Sequence, residues 1–159
     1  MAAVDLRPAA AADVATLARE LRAADRDELL ASTGSDDVRA IVADSVRRSV
    51  APLAAVDPDG RLIALFGHAP VGTILTPLAA PWLLGTDLVS RNAGILIKLS
   101  REYVALWREH FPLLVNFVDA RNRASIRYLK RVGFTLDDPA PHGALGLPFH
   151  RFHMGLADV

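Results

Sequence analysis

The sequence contains no cysteine, which excludes disulfide frameworks, thiol nucleophiles and thiolate metal sites together. Neither sign of charge is in excess. The 18 Lys and Arg are matched by 18 Asp and Glu, so the whole chain neither attracts nor repels a polyanion, and nucleic-acid binding would require a local patch. Aromatics are sparse, with six Phe, two Tyr and two Trp, so a core must come from alanine and aliphatic side chains on helix faces and strands. No apolar run approaches the roughly 20 residues of a membrane-spanning helix. Met1 to Arg7 shows no basic segment leading into an apolar stretch, so the chain is expected to stay in the cytoplasm unless an assembly carries it out.

What is present suffices for one domain over residues 1–159. A chain of this length buries about two thirds of its extended surface. Val4 and Leu6 alternate with Asp5 and Arg7 as in a short strand that Pro8 stops. Asp13 then reads as an acidic cap to a helix striped by Val14, Leu17, Ala18 and Leu21. A second helix is expected from Asp27 to about Ser32, and a third after Ser35 or Asp36, with Val38, Ile41, Val42 and Val46 as its stripe. Pro58-Asp59-Gly60 separates strand-like runs at 51–56 and 62–66, a hairpin pattern. Another strand is expected over 72–84, a helix over 92–110, a doubly covered strand over 113–118 and a short helix over 122–132 closed by Gly133. The tail, 134–156, reads as loop plus one closing strand at 149–154.

Two segments carry a family resemblance. Val4-Asp-Leu-Arg-Pro-Ala with Asp13-Val14, and above all Val118 to Phe134 with Asn122, Ser125, Ile126, Gly133 and Phe134 in register, resemble the GCN5-related N-acetyltransferase (GNAT) proteins. The resemblance implies an α/β three-layer GNAT-like domain with a mixed, mostly antiparallel sheet flanked by helices. Pro81-Trp-Leu-Leu-Gly-Thr-Asp87, Asn116 to Asn122 and Leu147-Pro-Phe-His-Arg-Phe152 are similar to a narrower group, small phage proteins of GNAT-like fold that include an internal virion protein of short-tailed podophages. That likeness implies a virion or morphogenesis component with a degenerate catalytic site, with other phage virion proteins as partners and a location in the host cytoplasm or the packaged particle. The alternative is an active N-acetyltransferase moving an acetyl group from acetyl-CoA to an amine of a host protein or small molecule. A third reading is a coenzyme-binding regulator without catalysis.

The GNAT resemblance also implies where acetyl-CoA would sit. Backbone near Leu83, Leu84 and Gly85, the loop Arg91-Asn92-Ala93-Gly94, and Asn122 with Ser125 are the expected contacts, since helix N-termini favour anions. Two departures stand out. Leu96 occupies the last small-residue position of the family's loop pattern, and Leu129 occupies the place of the tyrosine that serves many relatives as general acid. Tyr128, one residue earlier and rotated about 100° around the helix, is the remaining catalytic candidate or else a core residue with a satisfied hydroxyl. Asp87 would repel a phosphate if it pointed inward. The run 72–84 holds no base, leaving Glu20, Asp25, Asp27 and Glu28 to border an acceptor cleft or to serve as solvated faces and caps.

His68 and His142 are expected on the surface or in loops, and His110 near a helix end. His150 and His153 lie three apart on a strand and so point to opposite faces, which argues against a shared metal. Arg121, Arg123, Arg127, Lys130 and Arg131 cluster on the short helix, near coenzyme phosphates in this family or as a solvated face. With zero net charge and no interleaved aromatic beyond Tyr128, direct DNA binding is not expected.

Overall fold

The structure, a computed structural model, describes residues 3–155. Met1 and Ala2, which begin the opening segment Met1 to Arg7, and Leu156, which ends the expected tail, lie outside the described residues. Within them, β1 (Asp5–Pro8), β2 (Leu53–Val56), β3 (Leu62–Pro70), β4 (Leu78–Gly85), β5 (Leu113–Asp119), β6 (Thr135–Leu136) and β8 (Leu147–Gly155) form one sheet in the order β1-β2-β3-β4-β5-β8-β6, and β7 (Ala140–His142) pairs with β8. Every pairing is antiparallel except that of β4 with β5. Helices α1 (Ala11–Glu20), α2 (Ala23–Thr33) and α3 (Val38–Arg48) precede β2, while α4 (Ala93–Arg108) and α5 (Arg123–Val132) flank β5 in sequence.

The three layers follow from where the aliphatic stripes go. Val14 and Leu17 of α1 and Val38 and Val42 of α3 bury against Ala54, Leu62, Leu65 and Leu84 of the sheet. On the other side Leu96 of α4 packs on Ile63, Ala64 and Phe66, and Ile97 and Val104 join Leu114, Val118, Val132 and Phe152. Each fully buried aliphatic side chain stabilises by about 1.5–3 kcal/mol, so many small contributions offset the shortage of aromatics. No helix among the described residues is long and apolar enough to cross a membrane.

Several expected boundaries move. Asp13 is the third residue of α1, not its cap; its Oδ2 reaches back to accept from the Ala10 N–H at 2.8 Å and both oxygens take the Arg7 guanidinium at 2.7 Å. The cap of α3 is Asp37, whose Oδ1 accepts from the Ala40 N–H at 3.1 Å. Residues 72–77 are not strand, because Thr73 and Thr76 close a turn on each other and β4 begins only at Leu78. The tail holds β6 and β7 where loop was expected, since β8 is nine residues long and offers both sections an edge.

The β7–β8 turn docks on the end of α2. Ala144 N–H donates to Ser32 O at 3.0 Å and Leu145 N–H to Ala31 O at 3.2 Å, satisfying carbonyls left open at the helix terminus. Gly143 makes the contact possible, with φ of 75° and a Cβ position only 2.7 Å from Ser32 Cα. Gly143→Ala should therefore destabilise the protein by about 2 kcal/mol, read as a fall of roughly 4–8 °C in Tm by calorimetry.

Candidate functional site

The site begins as a fault in the sheet. β4 and β5 pair only at Leu78 with Leu113 and Ala79 with Leu114, and beyond those residues the two strands part. Two residues account for the parting. In the β3–β4 ladder Thr86 N–H donates to Ile63 O, and by alternation the backbone groups of Trp82 and Leu84 turn to β3 while those of Pro81, Leu83 and Gly85 turn toward β5. Pro81 has no N–H to offer there, so the parallel ladder lacks a donor at the point where it stops. Asn116 of β5 then occupies the gap: its Nδ2 donates to Pro81 O at 3.0 Å and its Oδ1 accepts from Phe117 N–H at 2.9 Å. A side-chain amide thus replaces the next rung and holds the strands apart.

A cavity of about 480 Å³ fills the opening. Its walls come from β4 (Pro81 to Leu84), β5 (Asn116 to Val118), α2 (Glu28, Leu29, Ser32), α4 (Ala93, Ile97, Ser100) and α5 (Ser125, Tyr128, Leu129). The Leu83 N–H and C=O face this opening by the same alternation. Those of Gly85 are already engaged, since Arg22 N–H donates to Gly85 O at 3.0 Å and Gly85 N–H donates to Asp25 Oδ2 at 2.9 Å. Leu84 directs its backbone to β3, so Leu83 alone of the three expected β4 residues presents backbone groups to the cavity. Gly85 serves packing: a Cβ there would lie 2.2 Å from Val89 Cγ2.

The carboxylates of α2 divide into two roles. Asp25 is buried and structural, with Arg22 Nε 2.7 Å from its Oδ2, off the hydrogen-bond direction, and Asn122 Nδ2 at 3.4 Å from its Oδ1. Glu28, one turn on, lines the cavity. Its Oε2 accepts from Asp119 N–H at 3.0 Å and from Asn122 Nδ2 at 3.2 Å. Burial, reinforced by the nearby charges of Asp25 and Asp119, pushes the Glu28 carboxyl up to about 7 despite those two hydrogen bonds. Asp119 goes the other way: burial raises it, but hydrogen bonds from Arg121, with distances of 2.7–3.2 Å, hold it below the usual carboxylate range. Of the four acids named from sequence, Glu28 reaches the cavity, Asp25 is locked beneath it, and Glu20 and Asp27 are exposed.

On the α5 side Asn122 caps the helix, its Oδ1 accepting from Ser125 N–H at 3.2 Å. Ser125 Oγ accepts from Arg22 NH2 at 3.0 Å, which ties α5 to the α1–α2 junction. Tyr128 lines the cavity and its hydroxyl pairs with Ser100 Oγ of α4. Burial holds the phenol above its ordinary value, against the pull of Ser100 and the charge of Arg22, so it keeps its proton across the neutral range. Leu129 also lines the cavity, so both positions of the register question face it. Within the basic cluster, Arg127 and Arg131 reach the cavity, Arg121 is committed to Asp119, and Arg123 and Lys130 are exposed.

After β4 the chain winds through a 3₁₀ turn, Asp87–Asn92, straight into α4. Thr86 starts it: its Oγ1 accepts from Leu88 N–H at 3.3 Å and donates toward Leu62 O at 3.0 Å. Ala93 and Ser90 line the cavity, Arg91 and Gly94 are exposed, and Asn92 is buried with its Nδ2 donating to Leu88 O at 2.9 Å. Leu96 is 1% exposed and buried on the sheet, so its branched side chain turns away from the cavity and does not obstruct it. Asp87 is exposed.

No protein-family model matches the sequence, and neither does any curated protein sequence. Solved structures do match. A GCN5-related N-acetyltransferase from Kribbella flavida superposes with a TM-score of 0.69 over 97% of this chain and 98% of its own, at 20% identity. Spermidine N-acetyltransferase from Vibrio cholerae, in complex with CoA and spermine, gives 0.67 over 96% and 95% at 13% identity. An aminoglycoside acetyltransferase in complex with coenzyme A gives 0.67 over 96% and 95% at 19% identity. This chain has the GNAT fold.

In this GNAT fold the sequence pointed to the β4, α4 and α5 segments but passed over three residues that shape the opening. Pro81 and Asn116 were visible only as parts of a similarity, and Glu28 as one of four equivalent acids. The signal for Glu28 was its spacing: Arg22, Asp25 and Glu28 recur every three residues, which puts them on one face of a helix.

The histidines need correction. His68 is not a surface group but a buried β3 residue, with its ring 4.6 Å from that of Trp107 and 5.4 Å from that of Phe111, and burial lowers its pKa. His142 sits in β7, stacked on Phe117 at 3.7 Å, and lines the cavity. His150 Nδ1 and His153 Nε2 contact the backbone and side chain of Asp137, each at 2.8 Å. Among the described residues no group of three or more His, Cys, Asp or Glu is disposed to hold a metal ion.

Proposed function

We propose that the protein is an acyl-CoA-dependent N-acyltransferase acting on an amine, within one domain spanning the chain. The observation that carries this reading is a single cavity that joins the opening between β4 and β5 to a carboxyl group poised near neutrality, Glu28. The cavity fits the coenzyme in three respects. Leu83 presents an N–H and a C=O to it, as an amide-bearing pantetheine arm requires; Ala93 begins a 16-residue helix whose dipole favours anions; and Arg127 and Arg131 add positive charge. Of the contacts expected from sequence, Leu83, Leu84, Ala93 and Ser125 lie on the cavity, while Asn122 acts through Ser125 and Glu28, and Asn92, Arg91 and Gly94 through the shape and charge of the loop.

Bound acyl-CoA supplies an acyl group activated as a thioester. Glu28, oriented by the bonds that its Oε2 accepts from Asp119 N–H and Asn122 Nδ2, takes on its other oxygen the proton that the amine must lose. Tyr128 Oη holds a proton for the departing sulfur, and Ser100 orients it. The apolar walls exclude the water that would compete with the amine.

Calorimetric titration with acetyl-CoA tests the reading: we expect saturable binding, and no binding at millimolar ligand would overturn it. Ala93→Glu sharpens the test. An acid in the first turn of α4 stabilises the helix yet repels a phosphate, so Tm should hold or rise while acetyl-CoA affinity falls about tenfold.

A second reading, a component of a phage assembly, draws on one observation. Ile74 and Leu75 at the tip of the β3–β4 hairpin are 99% and 94% exposed, with Val71 beside them at 56%, an apolar patch suited to burial against a partner protein. Mass spectrometry of purified particles would separate the two.

A further inference from the structure

We infer that the acceptor is a monoamine carried on a flat or aliphatic apolar body, and that polyamines and other polycations are excluded; this rests on the acyl-transfer reading. Charge is the first ground. Among the described residues lining the cavity, Glu28 is the only carboxylate, while Arg127 and Arg131 contribute positive charge and Arg22 is matched by Asp25. The two acids that might have supplied further negative sites are already committed, Asp25 to Arg22 and the Gly85 N–H, Asp119 to Arg121. One ammonium can be met beside Glu28. A second, on the same molecule, would be buried against apolar walls or brought toward an arginine, with no carboxylate left to pair it.

Shape is the second ground. From Glu28 the cavity wall continues through Leu29 and Trp82 and across to Phe117. The Phe117 and His142 rings are stacked at 3.7 Å with 11° between their planes, and Phe149 meets His142 edge-on at 5.4 Å. This is a broad, largely apolar surface with one flat face, suited to an aromatic ring or alkyl chain. The β7–β8 turn, bonded to the end of α2, fixes the His142 side of that surface in place.

The test compares phenylethylamine and hexylamine with spermidine and 1,4-diaminobutane on the full chain. Two readouts are used: thiol release from acetyl-CoA, and quenching of tryptophan fluorescence with CoA bound. We expect kcat/KM and affinity for the monoamines to exceed those for the polyamines at least tenfold. Equal or better use of either polyamine would overturn the inference. Ser32 lines the cavity one helical turn from Glu28, so Ser32→Asp adds a second carboxylate and should raise the ratio of kcat/KM for 1,4-diaminobutane to that for phenylethylamine about tenfold. If that variant does not fold, the wild-type panel decides alone. Binding of acetyl-CoA with neither binding nor acetylation of either monoamine overturns the acceptor class and leaves the coenzyme reading standing. Failure of acetyl-CoA to bind overturns both.

Discussion

Glu28→Gln should lower kcat/KM for N-acylation by about 10²–10⁴-fold while leaving acetyl-CoA affinity within a factor of about two. The substitution is close to isosteric, and the glutamine oxygen can still accept from Asp119 N–H and Asn122 Nδ2, so the local scaffold persists. What disappears is the capacity to take a proton. In the parent protein the active form is the ionised carboxylate, so kcat/KM should rise with pH through about 7 and level off above it. The variant should lack that inflection. A variant that keeps both the rate and the inflection would remove Glu28 from the chemistry.

The same substitution has an opposite effect on stability, which separates a chemical role from a structural one. Folded Glu28 holds its proton up to about 7, whereas the unfolded chain releases it near 4.5. The native state therefore binds more protons between those values, and the stability Glu28 contributes is fully present below 4.5 and lost as pH rises through about 7. Glutamine cannot ionise. Glu28→Gln should thus be more stable than the parent by about 1–3 kcal/mol at pH 8.5, allowing for partial exposure of the group, with the gain vanishing at pH 4. Denaturant melts at the two pH values measure this directly.

How much of this was legible in the sequence depends on the range of the interaction concerned. α5 and its cap were readable because Asn122, the apolar spacing and Gly133 are local signals, and the structure places that helix at Arg123–Val132. α4 was readable for the same reason. The split between β4 and β5 was not, because it depends on which edge of β4 the Pro81 nitrogen faces, and that is set by pairing with β3. The doubt attached to Leu96 rested on treating the loop pattern as a list of residue sizes; in the fold that side chain is buried in the cluster with Ile63 and Ala64 and does not line the cavity. His68 was misplaced because a histidine after a glycine resembles a turn, and only the tertiary contacts with Trp107 and Phe111 bury it. The distinction between Asp25 and Glu28 was likewise invisible: both lie on one helix face, and their roles diverge only because Gly85 and Arg22 meet the first and the cavity meets the second.

That division of roles gives the largest expected effect on stability. Asp25 is 2% exposed, accepts the Gly85 N–H at 2.9 Å, and lies 2.7 Å from Arg22 Nε. Asp25→Ala would leave a buried amide without an acceptor and a largely buried guanidinium without its counter-charge, and should cost about 3–5 kcal/mol, a large share of the 5–15 kcal/mol typical of a whole domain. A fall in Tm of roughly 6–20 °C would register it. Asp25→Asn is the informative companion. Its oxygen still accepts from Gly85, so it should lose only about half as much, and it removes a negative charge that helps to hold the Glu28 proton. The inflection of kcat/KM in Asp25→Asn should therefore move below about 7, although residue 25 does not line the cavity. An unchanged inflection with reduced stability would confine Asp25 to the scaffold. A lowered one would show that the carboxylate tying α2 to the end of β4 also sets the pH at which Glu28 can accept a proton.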